Sequence, residues 1–166
     1  MIRAGIVSFF DYPTDGPGDS PPAQVLLPDA SEAEWATLLE FTQAKSFGAG
    51  QSVLEVGAGG RSLYLLLEGT LEVVTPATRF GRKRPKGRLE AGSMVGELSF
   101  FDGEPRSAAV RALTPVVLAE LTPDGFDGLF ASHPALGRRL LLDLGRILAG
   151  RLRRAESAGA ASADAI

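Results

Sequence analysis

Short apolar runs, each closed by a glycine or proline turn, occupy the middle of this chain and constrain its fold more than any other feature. The 20 glycines and 11 prolines fall between these runs and do not form one block. Many short strands joined by turns are typical of a β-sandwich or a β-barrel. Strands are predicted at residues 51–56, 63–67 and 70–74, around 89–95, and at 107–113 and 115–121.

One predicted strand, residues 63–67, is apolar at nearly every position, so we expect it to be buried on both faces. Glu68 and Gly69 follow it directly and predict a tight hairpin to the next strand. Residues 75–88 (TPATRFGRKRPKGR) predict a polar loop. Its segment 79–88 holds six basic residues in ten, which could contact nucleic acid or an acidic partner, although a solvated hairpin loop is the simpler interpretation.

Helical patterns flank this strand region on both sides. Ser31 and Glu34 form a capping-box pattern at the start of the first helix, and Trp35, Leu38 and Leu39 lie on its apolar face. Trp35 at this spacing is interpreted as a core residue. A helix before the strands, not between them, separates the two types of element along the chain.

Two more helices are predicted after the strands. Thr122 and Pro123 begin the first of them, as N-cap and first helical residue, and His133 lies at its junction with the second. The second begins at Pro134, ends near Arg154 and carries leucines every four residues: Leu136, Leu140, Leu144, Leu148 and Leu152, with Leu141 and Ile147 beside them. One helix, about eight strands and then two helices indicate an α+β fold, because the elements are segregated along the chain.

The chain is long enough for one domain, which we place at residues 29–155. Residues 1–28 are poorly patterned: residues 2–10 could form one strand, and residues 11–22 (DYPTDGPGDSPP) read as a loop or linker. Residues 156–166 are rich in alanine and serine and are expected to form a disordered tail.

Several classes of function are disfavoured by what the sequence lacks. It has no cysteine and a single histidine, His133, which excludes thiolate zinc sites and multi-histidine metal sites and disfavours a catalytic role. The formal net charge of −3 does not suit a basic nucleic-acid binder. Neither a membrane span nor a signal peptide is recognisable, so a cytoplasmic protein is expected. No metal site is expected, and an enzyme is the least favoured class of function.

The segment 95–112 (VGELSFFDGEPRSAAVRA) carries the residues best suited to chemistry. Gly96 and Glu97 follow a strand and open a short helical turn, and Arg106 stands just before the next strand. Amide groups at a helix start and a guanidinium both favour an anion, and a guanidinium can bind phosphate through two parallel hydrogen bonds. A carboxylate beside them can accept from hydroxyl groups, so the combination suits a phosphorylated sugar.

This segment closely resembles the phosphate-binding cassette of cyclic nucleotide-binding domains. The matching residues are Gly96, Glu97, Leu98, Ser99, Phe100, Gly103, Pro105, Arg106, Ser107 and Ala108. Phe47, Gly50, Gly57, Leu63, Tyr64 and Gly69 fit the same family upstream, whereas Val95 departs from it where the family often has an aromatic residue. The resemblance implies an eight-stranded antiparallel jelly roll of cupin-like topology, with one N-terminal and two C-terminal helices.

The resemblance also implies a ligand and a role for each residue. Arg106 would bind the cyclic phosphate and Glu97 the ribose 2′-hydroxyl, while backbone amides near Gly96, Leu98 and Ser99 complete the cradle. Ser107 could add a hydroxyl contact, and Pro105 and Ala108 complete the matched set. The ligand would be cAMP more readily than cGMP, with no cofactor. Alternatively, Arg106 and Glu97 pair with each other in a ligand-free domain that serves oligomerisation or docking.

A regulatory role in signal transduction follows from the same resemblance. The last helix would lie over the ligand and move in response, with Ile147, Leu148 or Leu152 above the base, although a static core helix or a dimer seam fits the same stripe. About a dozen residues follow Arg154, too few for a DNA-binding helix-turn-helix domain. We therefore expect a stand-alone sensor or regulatory domain, or one cut from a larger protein, with an unidentified protein partner or a second copy as its binding partner. The composition, rich in alanine, glycine, arginine and leucine, indicates a bacterial source.

Overall fold

The computed structural model describes residues 26–75 and 84–163, and there it contains eight strands in two antiparallel sheets. The α+β jelly-roll fold is confirmed. The elements are α1 (Glu32–Glu40), β1 (Gln43–Phe47), β2 (Ser52–Leu54), β3 (Leu63–Glu68), β4 (Thr70–Thr75), β5 (Arg84–Glu90), β6 (Met94–Val95), α2 (Glu97–Asp102), β7 (Ala109–Ala112), β8 (Val116–Leu121), α3 (Pro123–Ser132) and α4 (Pro134–Ala163). The predicted strand at 2–10 and the linker at 11–22 lie outside the described residues.

The chain changes sheet at almost every turn. The strand order is β1-β8-β3-β6 in one sheet and β2-β7-β4-β5 in the other, so of the consecutive strand pairs only β4 and β5 lie side by side. The hairpin predicted at Glu68 and Gly69 is therefore wrong, because β3 and β4 belong to different sheets. Gly69 is the corner between them: its φ is +85°, and its missing side chain lets the backbone pass against Pro115 and Val116.

The polar loop predicted at residues 75–88 is also corrected in part. Residues 84–90 form β5, which pairs with β4 from Thr70 opposite Glu90 to Thr75 opposite Arg84. Backbone hydrogen bonds to a six-residue neighbour stabilise a strand even where its side chains are polar, and Leu89 packs against the core. The rest of the basic segment, residues 79–83, lies outside the described part of the chain.

The sheet that holds β3 separates two apolar cores, and this explains its nearly continuous apolar sequence. Leu63 and Leu65 face the helices, whereas Leu66 faces the other sheet, and all three are buried. Side chains alternate across a strand, so burial on both faces requires apolar residues at successive positions. The predicted burial of this strand on both faces is confirmed.

Local capping signals are reproduced by the structure at α1 and α3. Ser31 caps α1 and forms the full capping box with Glu34, and Thr122 caps α3 with Pro123 in its first turn. Trp35 is buried in the core on the helix side, as predicted. Glu34 also forms an ion pair with Arg139 of α4, which joins the first and last helices.

The final helix differs from its prediction in extent and in face. The helix continues to Ala163. The disordered tail predicted at residues 156–166 is therefore corrected for residues 156–163. This segment is rich in alanine, the residue with the highest helix propensity. Among the residues of α4 whose burial is described, up to position 153, the large apolar side chains that are buried are Leu136, Leu140, Leu144 and Ile147. A spacing of four residues drifts about 40° per step around a helix of 3.6 residues per turn, so Leu152 lies off the core face and is 61% exposed.

We expect Gly69→Ala to lower the free energy of unfolding by about 2–5 kcal/mol, because it combines positive-φ strain with overlap of the new Cβ and the Pro115 carbonyl oxygen. Gly50→Ala is the matched control, since Gly50 has a φ of +83° but open space around a Cβ. It should cost only about 1 kcal/mol. Urea unfolding of the three proteins measures both values, and equal losses would contradict Gly69 as a close-packed corner.

Candidate functional site

A glycine with a positive φ joins β6 to the short helix of the candidate site. Gly96 has a φ of +85° and precedes α2, and a Cβ on it would lie 2.6 Å from Nη1 of Arg106 and 2.8 Å from the Ser62 carbonyl oxygen. Only glycine fits there without displacing one of them. The predicted order of strand, short helix, turn and arginine is confirmed, and it brings Gly96 and Arg106 into contact.

Arg106 is the best-buried charged residue of the candidate site, with 5% of its surface exposed. Its Nη1 donates to the Gly96 carbonyl at 2.9 Å and its Nη2 to the Ser62 carbonyl at 2.8 Å. Its backbone is held as well, because its N–H donates to Ala58 and its carbonyl accepts from Gly57. The two side-chain bonds leave further guanidinium N–H groups for a ligand.

Glu97 lies at the start of α2, and its ion-pair partner comes from the last helix. It is 8% exposed and forms an ion pair through Oε1 with Nη1 of Arg151 in α4. Nη2 of Arg151 also donates to the Met94 carbonyl at 3.2 Å. The alternative in which Glu97 pairs with Arg106 is not what the structure contains, since each has other partners.

Arg151 was missed in the sequence, and no local signal could have singled it out. The last helix is rich in arginines, and the sequence pattern does not tell which of them reaches back to β6 and α2.

The remaining predicted site residues differ in how far they are buried. Ser99 is buried, Ala108 is half-buried, and Leu98, Pro105 and Ser107 are exposed. Gly96 offers no side-chain cap to α2, and the first amides of any helix lack an acceptor within that helix. The short helix α2 thus begins beside Arg106 without a side-chain cap from Gly96.

Arg106 also lines a cavity of about 330 Å³. Its lining residues come from β2, the glycine-rich turn 57–60, β3 and β8, and they include Ser62, Tyr64, Glu120 and Arg106. Of the eight predicted site residues, Arg106 alone lines it. Sequence reasoning placed Tyr64 in the family pattern but assigned it no role, and it did not find Ser62 or Glu120.

His133 has the structural position that was predicted for it. It ends α3, its backbone N–H donates to the Leu129 carbonyl, and its ring meets Phe41 edge to face at 6.0 Å. Among the described residues no group of three or more acidic, histidine or cysteine side chains is arranged to hold a metal ion.

The described residues form a helix-flanked jelly roll of two antiparallel sheets, in which the buried Arg106 lies beside the short helix α2. The family model described as the cyclic nucleotide-binding domain matches residues 44–133. The chain therefore belongs to the cyclic nucleotide-binding domain family, as its cassette residues predicted.

Two curated relatives and one solved structure illustrate the similarity. The chain is 31% identical over 125 residues to a CRP-like cAMP-activated global transcriptional regulator of Mycobacterium tuberculosis, covering 72% of this chain and 51% of the regulator. It is 33% identical over 114 residues to a cAMP-dependent protein kinase regulatory subunit of Emericella nidulans, covering 69% and 27%. A cyclic nucleotide-binding domain from Methylobacillus flagellatus matches with a TM-score of 0.70 and 32% identity, covering 78% and 72%.

The chain thus spans about half the length of the first relative and about a quarter of the second. The similarity therefore concerns a part of each of these longer proteins.

Proposed function

We propose that this domain binds a cyclic nucleotide, cAMP in preference to cGMP, and that occupancy is transmitted through α4. The observation that carries the proposal is the buried guanidinium of Arg106. Its recorded side-chain partners are two neutral carbonyls and one aromatic ring, and no carboxylate among the described residues lies within ion-pair distance. A buried charge without a counter-charge is costly, and a bound phosphate would supply that charge.

The roles proposed for the site residues of the cassette are kept. Arg106 binds the cyclic phosphate, the amides near Gly96, Leu98 and Ser99 surround it, and Ser107 adds a hydroxyl. Preference for cAMP is supported by the two relatives, one described as cAMP-activated and the other as a cAMP-dependent kinase subunit.

We infer a cytoplasmic regulatory domain at residues 29–155 that acts on a protein partner and performs no catalysis. In the described part of the chain no helix is long and apolar enough to cross a membrane.

Titration calorimetry with cAMP tests the anion site. We expect Arg106→Ala to lose at least about thirtyfold in affinity, because a buried charge pair then lacks one member. Arg106→Lys should recover little, since a point charge lacks the planar fork. Arg111→Ala is the control: Arg111 lies on the adjoining strand β7 but is exposed and paired with Glu72. If Arg106→Ala binds cAMP as the wild type does, the proposed anion site is wrong.

The Glu97–Arg151 ion pair suggests how α4 senses the ligand. A carboxylate has two oxygens, so Oε1 of Glu97 can keep Arg151 while Oε2 accepts from the ribose 2′-hydroxyl. Binding would then hold α4 more firmly against α2. Ile147 is fully buried in the core, which leaves Leu148 and Leu152 as the candidates that could cover the base.

Amide hydrogen exchange measures this coupling directly. In the wild type we expect cAMP to slow exchange across residues 140–153 by at least about fivefold, the lower end of ordinary coupling between sites. Arg151→Gln should remove most of this protection, whereas Arg138→Gln, on an exposed position of the same helix, should retain it. Equal exchange with and without cAMP in the wild type would refute the helix output.

Exposed leucines on α4 favour a second candidate function, self-association. Leu141 is 40% exposed and Leu152 61%, and with Gly145 and Leu148 they follow a four-three-four spacing that suits the seam of a paired helix. We propose a second copy of this chain as the occupant. Sedimentation of the wild type should show a dimer. Leu152→Glu should raise the dissociation constant of the dimer at least about tenfold. Leu142→Gln, at an exposed position outside the seam, should leave this constant unchanged. A monomeric wild type would exclude this candidate.

A further inference from the structure

Three side chains of one sheet form a polar chain that ends against Arg106. Lys45 Nζ lies 3.2 Å from Oε2 of Glu120, and Oη of Tyr64 donates to Oε1 of Glu120 at 2.9 Å. The Tyr64 ring centroid lies 5.9 Å from Cζ of Arg106, within the range of a cation–π contact. We refer to Lys45, Glu120 and Tyr64 as the Tyr64 network.

Strand register holds this network in place. Tyr64 of β3 lies directly opposite Glu120 of β8. Lys45 of β1 lies opposite Leu118, two residues from Glu120, and therefore shares its face. Because each member comes from a neighbouring strand, backbone pairing sets the position of the Tyr64 ring before any ligand arrives.

The ionisation of the pair favours a fixed hydrogen bond. Burial, together with the hydrogen bond and charge of Glu120, raises the pKa of the Tyr64 hydroxyl above its ordinary value. Burial would also raise the pKa of Glu120, but hydrogen bonds from Ser62, Tyr64 and Lys45 outweigh it and hold that pKa below its usual value. Tyr64 thus remains a donor and Glu120 an acceptor at neutral pH.

We propose that Tyr64 is a positioning residue for Arg106, an inference that rests on the proposed binding of a cyclic phosphate. The bonds to Gly96 and Ser62 hold Nη1 and Nη2 but leave the guanidinium plane able to tilt about the line that joins them. An aromatic ring against the guanidinium opposes this tilt, and Glu120 holds the ring. The remaining N–H groups are then oriented for phosphate before binding, which lowers the ordering cost of binding.

A graded pair of substitutions tests this role by titration calorimetry with cAMP. Tyr64→Phe keeps the ring but frees it from Glu120, and we expect affinity to fall about twofold to fivefold. Tyr64→Leu removes the ring, and the expected loss is about fivefold to thirtyfold. Leu66→Val is the matched control, since Leu66 lies on the same strand and face and is buried between the sheets. Its affinity should match the wild type, and equal affinity of all four proteins would overturn the proposal.

A second measurement separates this proposal from the binding function itself. The Nε–H signal of Arg106 in nitrogen-15 spectra of the free protein should be sharp in the wild type and in Leu66→Val. It should broaden or exchange faster in Tyr64→Phe, and more so in Tyr64→Leu if that variant folds. A wild type that fails to bind cAMP overturns the proposed function, whereas an Arg106 signal that no Tyr64 substitution alters overturns the positioning role.

Discussion

Hydrogen bonds of the buried Arg106 join the segment 57–62 to the start of α2. Ser62 before β3 and Gly96 at the start of α2 accept its side-chain hydrogen bonds, and the turn that contains Gly57 and Ala58 holds its backbone. Burying a charge costs several kcal/mol unless its hydrogen bonds are satisfied, so these partners are required for the fold itself. The same requirement keeps the two carbonyls and α2 at a fixed distance from one another. The proposed anion site would therefore use contacts that the fold itself already contains.

The last helix makes different contacts on three of its faces. Leu140, Leu144 and Ile147 are completely buried and join α4 to the core. Arg151 reaches Glu97 and Met94 on the cassette side, and Leu152 remains largely exposed. A helix with these contacts can respond to a change at Glu97 without losing its place in the core. Leu148 and Leu152 are candidates both for covering the base and for the helix seam, so the two proposals compete for the same side chains.

Much of the local structure of this domain could be predicted from its sequence. The Ser31 and Thr122 caps, the change from helical to strand periodicity and the two-sided burial of β3 all follow from residues close together in the chain. The cassette was recognisable for the same reason, because Gly96, Glu97 and Arg106 lie within one short segment whose turn and helix bring them together. About half of the chain lies within the matched family model, which agrees with that interpretation.

Features that depend on distant partners could not be read in this way. Strand patterns show which residues are buried but not which strand lies alongside, so the turn at Gly69 looked like a hairpin although it joins two sheets. The basic strand β5 is stabilised by its pairing with β4, and its side-chain pattern carried no such signal. Arg151 and Glu97 are 54 residues apart, and Tyr64 and Glu120 are 56 apart. Caps and cassette were thus determined by the amino-acid sequence itself, because they depend on neighbouring residues, whereas sheet partners, ion pairs and the network behind Arg106 were decided by long-range packing that brings remote segments together.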